Sequence, residues 1–215
     1  MDKISLADIP EMFEAIAKKM NIVAEELCEM DARMGDGDLG LTMKKGFGAL
    51  PQIIRELEET DIGKLIMKSG MKMGSIVPST MGTLMASGLM TGGKALVGRN
   101  SIDAIAFSDF LNGFEEGVRK RGKCTRGDRT LLDAIGTASD VCREYLAEHP
   151  EASLEEVASI ALRGAEQGVE ATRRMIPKYG KAAVHKAAAN GERDQGACAG
   201  MYMIAGIRDY ICSNR

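Results

Sequence analysis

Three carboxylates fall within eight residues in the stretch Asp31-Ala-Arg-Met-Gly-Asp36-Gly-Asp38-Leu-Gly40, with only Arg33 to offset them. Crowded carboxylates repel one another unless a cation bridges them. Hard divalent cations take such oxygen ligands, and Mg²⁺ in particular combines one or two carboxylates with phosphate oxygens. Gly35, Gly37 and Gly40 let the backbone fold tightly around an ion. The competing reading of the same residues is a solvated Asx-turn between two helices. An EF-hand is excluded, because the twelfth position counted from Asp36 is Phe47 rather than Glu.

Other stretches carry weaker chemistry. Gly88-Leu-Met-Thr-Gly-Gly93-Lys94-Ala95 nearly matches a P-loop, but Ala95 lacks the hydroxyl that reaches Mg²⁺. It also ends a helical run instead of joining a strand to a helix, so it reads as a helix C-terminus. The loop from Arg121 to Thr130, with Gly122 and Gly127, leads into a helix. Such a turn can present backbone N–H groups to an anion, or can be a basic solvated turn with Asp128 as the helix cap. Residues 176–196 form a long loop made basic by Lys178, Lys181, Lys186 and Arg193, the pattern of a lid. The two histidines, His149 and His185, have no histidine partner, which argues against a histidine zinc site. Five scattered cysteines form no C-x-x-C, arguing against metal knuckles and a disulfide framework and for a reducing, cytoplasmic setting.

The elements that must position these residues are helices. Met12, Ile16, Met20, Val23, Leu27 and Met30 recur at three- and four-residue steps, the face of one long helix with Asp8 as its cap. Met43 to Leu57 and Ile62 to Met73 repeat the period. Ser79 to Leu96 is apolar but small-grained, fit for close helix packing. Further helices run through Phe107 to Val118 (capped by Ser101), Leu131 to Cys142, Val157 to Thr172 (opened by a Ser153/Glu156 capping box) and residues 197–212. No stretch alternates with period two. The expectation is an all-α single domain over 1–215 with about eight helices. A net charge of −3 gives no electrostatic footprint for nucleic acid, and no apolar run is long enough for a membrane span or a signal peptide.

The combination of Asp31-x₄-Asp36-x-Asp38-x-Gly40, Gly127-Asp128-Arg129-Thr130, Gly180-Lys181-Ala182 and Asp194-x-Gly196-Ala197 resembles the DhaL family, the nucleotide-binding subunits of dihydroxyacetone kinases. The resemblance runs over essentially the whole chain. It implies a single-domain barrel of about eight antiparallel amphipathic helices with a nucleotide at one end under a lid loop. It implies that Asp31, Asp36 and Asp38 hold two Mg²⁺ ions. It implies that Leu39, Gly40, Leu41 and Thr42, then Thr80, Met81 and Gly82, then Gly122 and Leu131 line ADP or ATP. Lys181, as the catalytic cation, would close over the nucleotide with Asp194, Gln195 and Gly196. The implied partners are a DhaK-type subunit holding a small ketose and, in phosphotransferase versions, a DhaM-type protein that rephosphorylates retained ADP. A homodimer is also compatible. The chain departs from the family where Lys181 stands for Arg, Gln195 for Pro, Val184 to Ala187 for a Gly-Glu-Arg-Ser run, Met81 for Ser and Leu39 for His. These departures leave the aspartates intact but bear on lid closure and nucleotide exchange, so a second reading is an ADP-loaded regulatory protein without phosphoryl transfer.

Overall fold

The computed structural model describes residues 1–184 and 190–214. His185 and Lys186, with the rest of 185–189, lie outside the described residues. Nine α-helices are described: α1 (Ile9–Ile22), α2 (Ala24–Ala32), α3 (Leu39–Glu56), α4 (Ile62–Ile76), α5 (Thr80–Ala95), α6 (Ala104–Gly122), α7 (Leu131–Glu148), α8 (Leu154–Ala171) and α9 (Gln195–Ser213).

The single long N-terminal helix expected from its apolar period is two helices. The chain turns at Val23, whose ψ of 5° leaves the helical range. The apolar face continues across the break, with Met20, Val23 and Leu27 all buried. Two other expectations fail at helix starts. Asp8 turns its carboxylate backward to the Ser5 amide at 2.7 Å and gives α1 no cap bond. Asp103, not Ser101, caps α6 by accepting from Ala106 N, because Ser101 is drawn into a two-residue antiparallel ladder. In that ladder Ile4 faces Ile102 and Ser5 faces Ser101, the only strand pair among the described residues. The Ser153/Glu156 capping box forms as expected.

Eight helices close a ring. α1 packs on α3, α3 on α4, α4 on α5, α5 on α6, α6 on α7, α7 on α8, α8 on α9, and α9 returns to α1. α2 extends α1 and leans on α3 and α9. Short connections make successive helices antiparallel. The interior is filled by Phe13, Phe47, Phe107 and Phe114 with Met20, Met43, Met73, Met85 and Met203, all essentially unexposed. The small residues of α5 allow the close approach that their sizes foretell. A Cβ on Gly92 would sit 2.8 Å from the Phe110 ring, and one on Gly93 would sit 2.7 Å from the Gly63 carbonyl oxygen. The P-loop-like residues therefore end a packed helix, and none of them lines the functional cavity described below.

Candidate functional site

Alternation around the ring brings the N-termini of α3, α5, α7 and α9 to the same end. There they border one cavity of about 320 Å³, lined by Asp38 and Leu39, Ser79 and Thr80, Thr130 and Leu131, and Asp194 and Gln195. Each helix start offers unpaired N–H groups and a partial positive charge, so four such ends together favour an anion.

The acidic loop forms one rim. Asp31, in the last turn of α2, is 7% exposed, and its Oδ2 accepts from the backbone N–H of Asp38 at 3.1 Å and of Leu39 at 3.3 Å. Its Oδ1 accepts from Gln195 Nε2 at 3.3 Å. The loop reverses through Gly37 at φ 76°, a conformation that glycine adopts without strain. Asp38 sits at the start of α3 but spends no side-chain hydrogen bond on capping it. One oxygen from each of Asp31, Asp36 and Asp38 lies within 4.8 Å of the others. An all-oxygen set of three carboxylates this close fits a hard divalent cation.

The lid meets this rim. Lys181 Nζ lies 2.6 Å from Asp36 Oδ2, and that hydrogen bond holds the Asp36 carboxyl below its usual range while raising the Lys181 ammonium. Lys178 pairs with Asp128 at 2.5 Å, and the Tyr179 hydroxyl donates to the Lys123 carbonyl at 2.7 Å. Asp128 is not the cap of α7. Its carboxylate accepts from Thr125 and Lys178, and Thr130 caps α7 in a capping box with Asp133.

Arg129, within the Gly127–Thr130 motif, makes contacts that the motif alone does not show. It is 3% exposed and takes a left-handed φ of 61°. Its guanidinium donates to the carbonyls of Thr172 at 3.2 Å and Glu192 at 2.8 Å, tying the start of α7 to the turn after α8 and to the segment before α9. Asp194, also buried, caps α9 by accepting from Ala197 N at 2.8 Å. Burial pushes its carboxyl up to about 6, against the lowering pull of that bond and of the Arg129 charge.

Of the residues singled out in the sequence, Asp31, Asp36, Asp38, Leu39, Thr42, Thr80, Met81, Leu131, Lys181, Asp194, Gln195 and Gly196 all line the cavity. Gly40, Leu41, Gly82 and Gly122 do not. Gly40 lets α3 approach the Ala24 carbonyl, Gly82 packs on Val77, and Gly122 ends α6 beside Cys124 and Leu84. Leu41 points outward, 62% exposed. Arg129 and Tyr179 are wall residues that sequence reasoning assigned no role. Arg129 stood inside a quoted motif, whereas nothing local marked Tyr179.

The sequence matches the DAK2 domain over residues 33–209. The chain belongs to the DAK2-domain family. The match includes Asp36 and Asp38 and begins just after Asp31. Among relatives of this DAK2 domain is the ADP-binding subunit DhaL of the PEP-dependent dihydroxyacetone kinase of Escherichia coli K12. It is 27% identical over 183 residues, covering 84% of this chain and 85% of that protein. The human triokinase/FMN cyclase is 26% identical over 209 residues, which cover 92% of this chain but 36% of that protein. The dihydroxyacetone kinase of C. freundii, solved with AMP-PNP and Mg²⁺, superposes with a TM-score of 0.69 at 20% identity, covering 94% of this chain and 34% of that one. The all-α fold read from periodicity and the kinship with DhaL both hold. The ring has the expected eight helices, and among the described residues α2 is added beside it. No helix among the described residues is long and apolar enough to cross a membrane.

Proposed function

We propose that this DAK2 domain is a cytoplasmic nucleotide-binding phosphotransferase subunit of the DhaL type. It would bind ADP or ATP with Mg²⁺ in the cavity and pass a phosphoryl group to dihydroxyacetone or a similar small ketose held on a DhaK-type subunit. The observation that carries this reading is the convergence of three carboxylates and four helix N-termini on one cavity under a basic lid. Asp31, Asp36 and Asp38 would hold the metal, two ions in the fullest reading. Bound Mg²⁺ neutralises phosphate charge and so favours phosphoryl transfer.

The chain's own residues act by position. The N-termini of α3, α5, α7 and α9 direct N–H groups at the phosphates. Arg129 and the Lys178–Asp128 pair hold the lid across the site. Lys181 rests on Asp36 and, among the described residues, is the lid cation nearest the acidic loop, placed to meet phosphate charge. The base that takes the ketose hydroxyl proton would come from the partner subunit. Where ADP is retained, a DhaM-type protein would restore the phosphate.

Calorimetry with Mg-ADP and Mg-ATP tests the reading. The expected result is binding by the wild type and its loss in Asp36→Ala, with an unchanged melting temperature because the Asp36 carboxylate is 56% exposed. Equal binding by both proteins refutes the metal assignment. Phosphate transfer to a ketose after adding a DhaK-type subunit excludes a purely regulatory role.

A further inference from the structure

Among the described residues, Gln195 is the one amide side chain on the cavity wall. It belongs to the first turn of α9, where Asp194 supplies the cap and leaves the Gln195 side chain to the site. Its two amide atoms fare differently. Nε2 donates to Asp31 Oδ1 at 3.3 Å, whereas Oε1 is buried with no hydrogen-bond partner among the described residues. A buried acceptor left unpaired is costly, so this arrangement is poised for something that would satisfy it.

The surroundings indicate what that is. Asp31 Oδ2 is committed to the start of α3, which leaves Oδ1 as the oxygen able to face an ion. Gln195 occupies that oxygen with a donor. Turning the amide over about its terminal torsion exchanges N and O between two ends of the same shape. Oε1 would then stand where Nε2 stands, 3.3 Å from Oδ1. Two acceptor oxygens at that distance repel unless a cation lies between them. Neighbouring oxygens around a six-coordinate divalent ion lie about 3.0 to 3.4 Å apart, for metal–oxygen distances of about 2.1 Å (Mg²⁺) to 2.4 Å (Ca²⁺).

We infer that Gln195 is a fourth oxygen ligand of the metal site, delivered by turnover of its amide when a divalent cation enters. Without the cation its N–H₂ steadies Asp31. With the cation its carbonyl oxygen joins the three carboxylates, and its N–H₂ moves into the place that Oε1 leaves. This rests on the reading of Asp31, Asp36 and Asp38 as metal ligands. It ties α9, and through Asp194 the end of the lid, directly to the ion.

The test titrates Mn²⁺ into the nucleotide-free protein and follows free Mn²⁺ by electron paramagnetic resonance. Gln195→Leu is expected to weaken Mn²⁺ about tenfold, the scale of losing one supporting polar group at a metal site. Gln195→Glu is expected to keep or tighten binding. In wild-type protein labelled with ¹⁵N in glutamine side chains, Mg²⁺ should shift the Gln195 amide resonance as its hydrogen bond to Asp31 is given up. Binding by the Leu variant within twofold of wild type, or a Gln195 resonance unmoved at saturating Mg²⁺, overturns the inference. Wild-type Mn²⁺ binding that survives Asp36→Ala shows instead that the carboxylate reading has failed, and the inference fails with it.

Discussion

Asp194→Asn isolates the cost of burying one charge. Asp194 is 5% exposed, and its carboxyl titrates at about 6 instead of the usual 3.8. The folded chain thus holds the proton more tightly than the unfolded chain does. The stabilising contribution of the neutral form is fully present below the unfolded value of 3.8 and is lost as pH rises through about 6. The gap corresponds to about 3 kcal/mol, at about 1.4 kcal/mol per pH unit. Asparagine keeps an acceptor for Ala197 N and has no charge to bury. Urea unfolding of both proteins between pH 4 and 7.5 gives the difference in stability at each pH, in which every other titrating group cancels. That difference should swing by up to about 3 kcal/mol in favour of the variant between pH 4 and 7, and then level off. A flat difference across this range would refute the reasoning, because it would mean that Asp194 ionises as easily folded as unfolded.

Arg129→Met removes a charged donor from the carbonyls of Thr172 and Glu192. Hydrogen bonds from charged groups contribute about 1.5–3 kcal/mol each, so a loss of about 3 kcal/mol is expected in urea unfolding, together with faster proteolysis in residues 172–194. Gly92→Ala puts a methyl group 2.8 Å from the Phe110 ring and 2.9 Å from the Phe110 carbonyl oxygen. The overpacking should cost about 1–3 kcal/mol in chemical melts while leaving Mg-nucleotide affinity unchanged, since α5 meets α6 there, away from the cavity. Ser153→Ala breaks the box that starts α8 and should lower stability by about 1 kcal/mol in the same melts, again without effect on binding.

The helices were legible because each buries one stripe, and a stripe written every three or four residues survives without knowledge of its neighbours. The break at Val23 was not, because its residue has neither the fixed φ of proline nor the freedom of glycine, and the apolar face runs on through it. The cap positions of α6 and α7 were misread for a related reason. Ser101 and Asp128 are good caps in isolation, but a strand ladder claims one and Lys178 the other. The acidic loop could be found because its three carboxylates come from one short segment. Arg129 and Tyr179 could not, since their contacts span 43 to 63 residues and 56 residues of chain respectively and exist only once the ring has closed. The convergence of helix starts likewise depends on the direction of each helix around the ring, which no single segment carries.

The same alternation decides where the chain ends lie. Because α9 begins at the cavity, it finishes at the opposite face. There the Tyr210 hydroxyl meets Asp8 at 3.2 Å, beside the start of α1. The first and last described helical turns therefore lie side by side, at the end of the barrel away from the cavity. A short linker would join them, and new ends could be opened in the connection between α5 and α6 on that same face, giving a circularly permuted chain with an undisturbed cavity. Any domain fused at either terminus would likewise hang from the closed end of the barrel and leave the lid free to face a partner.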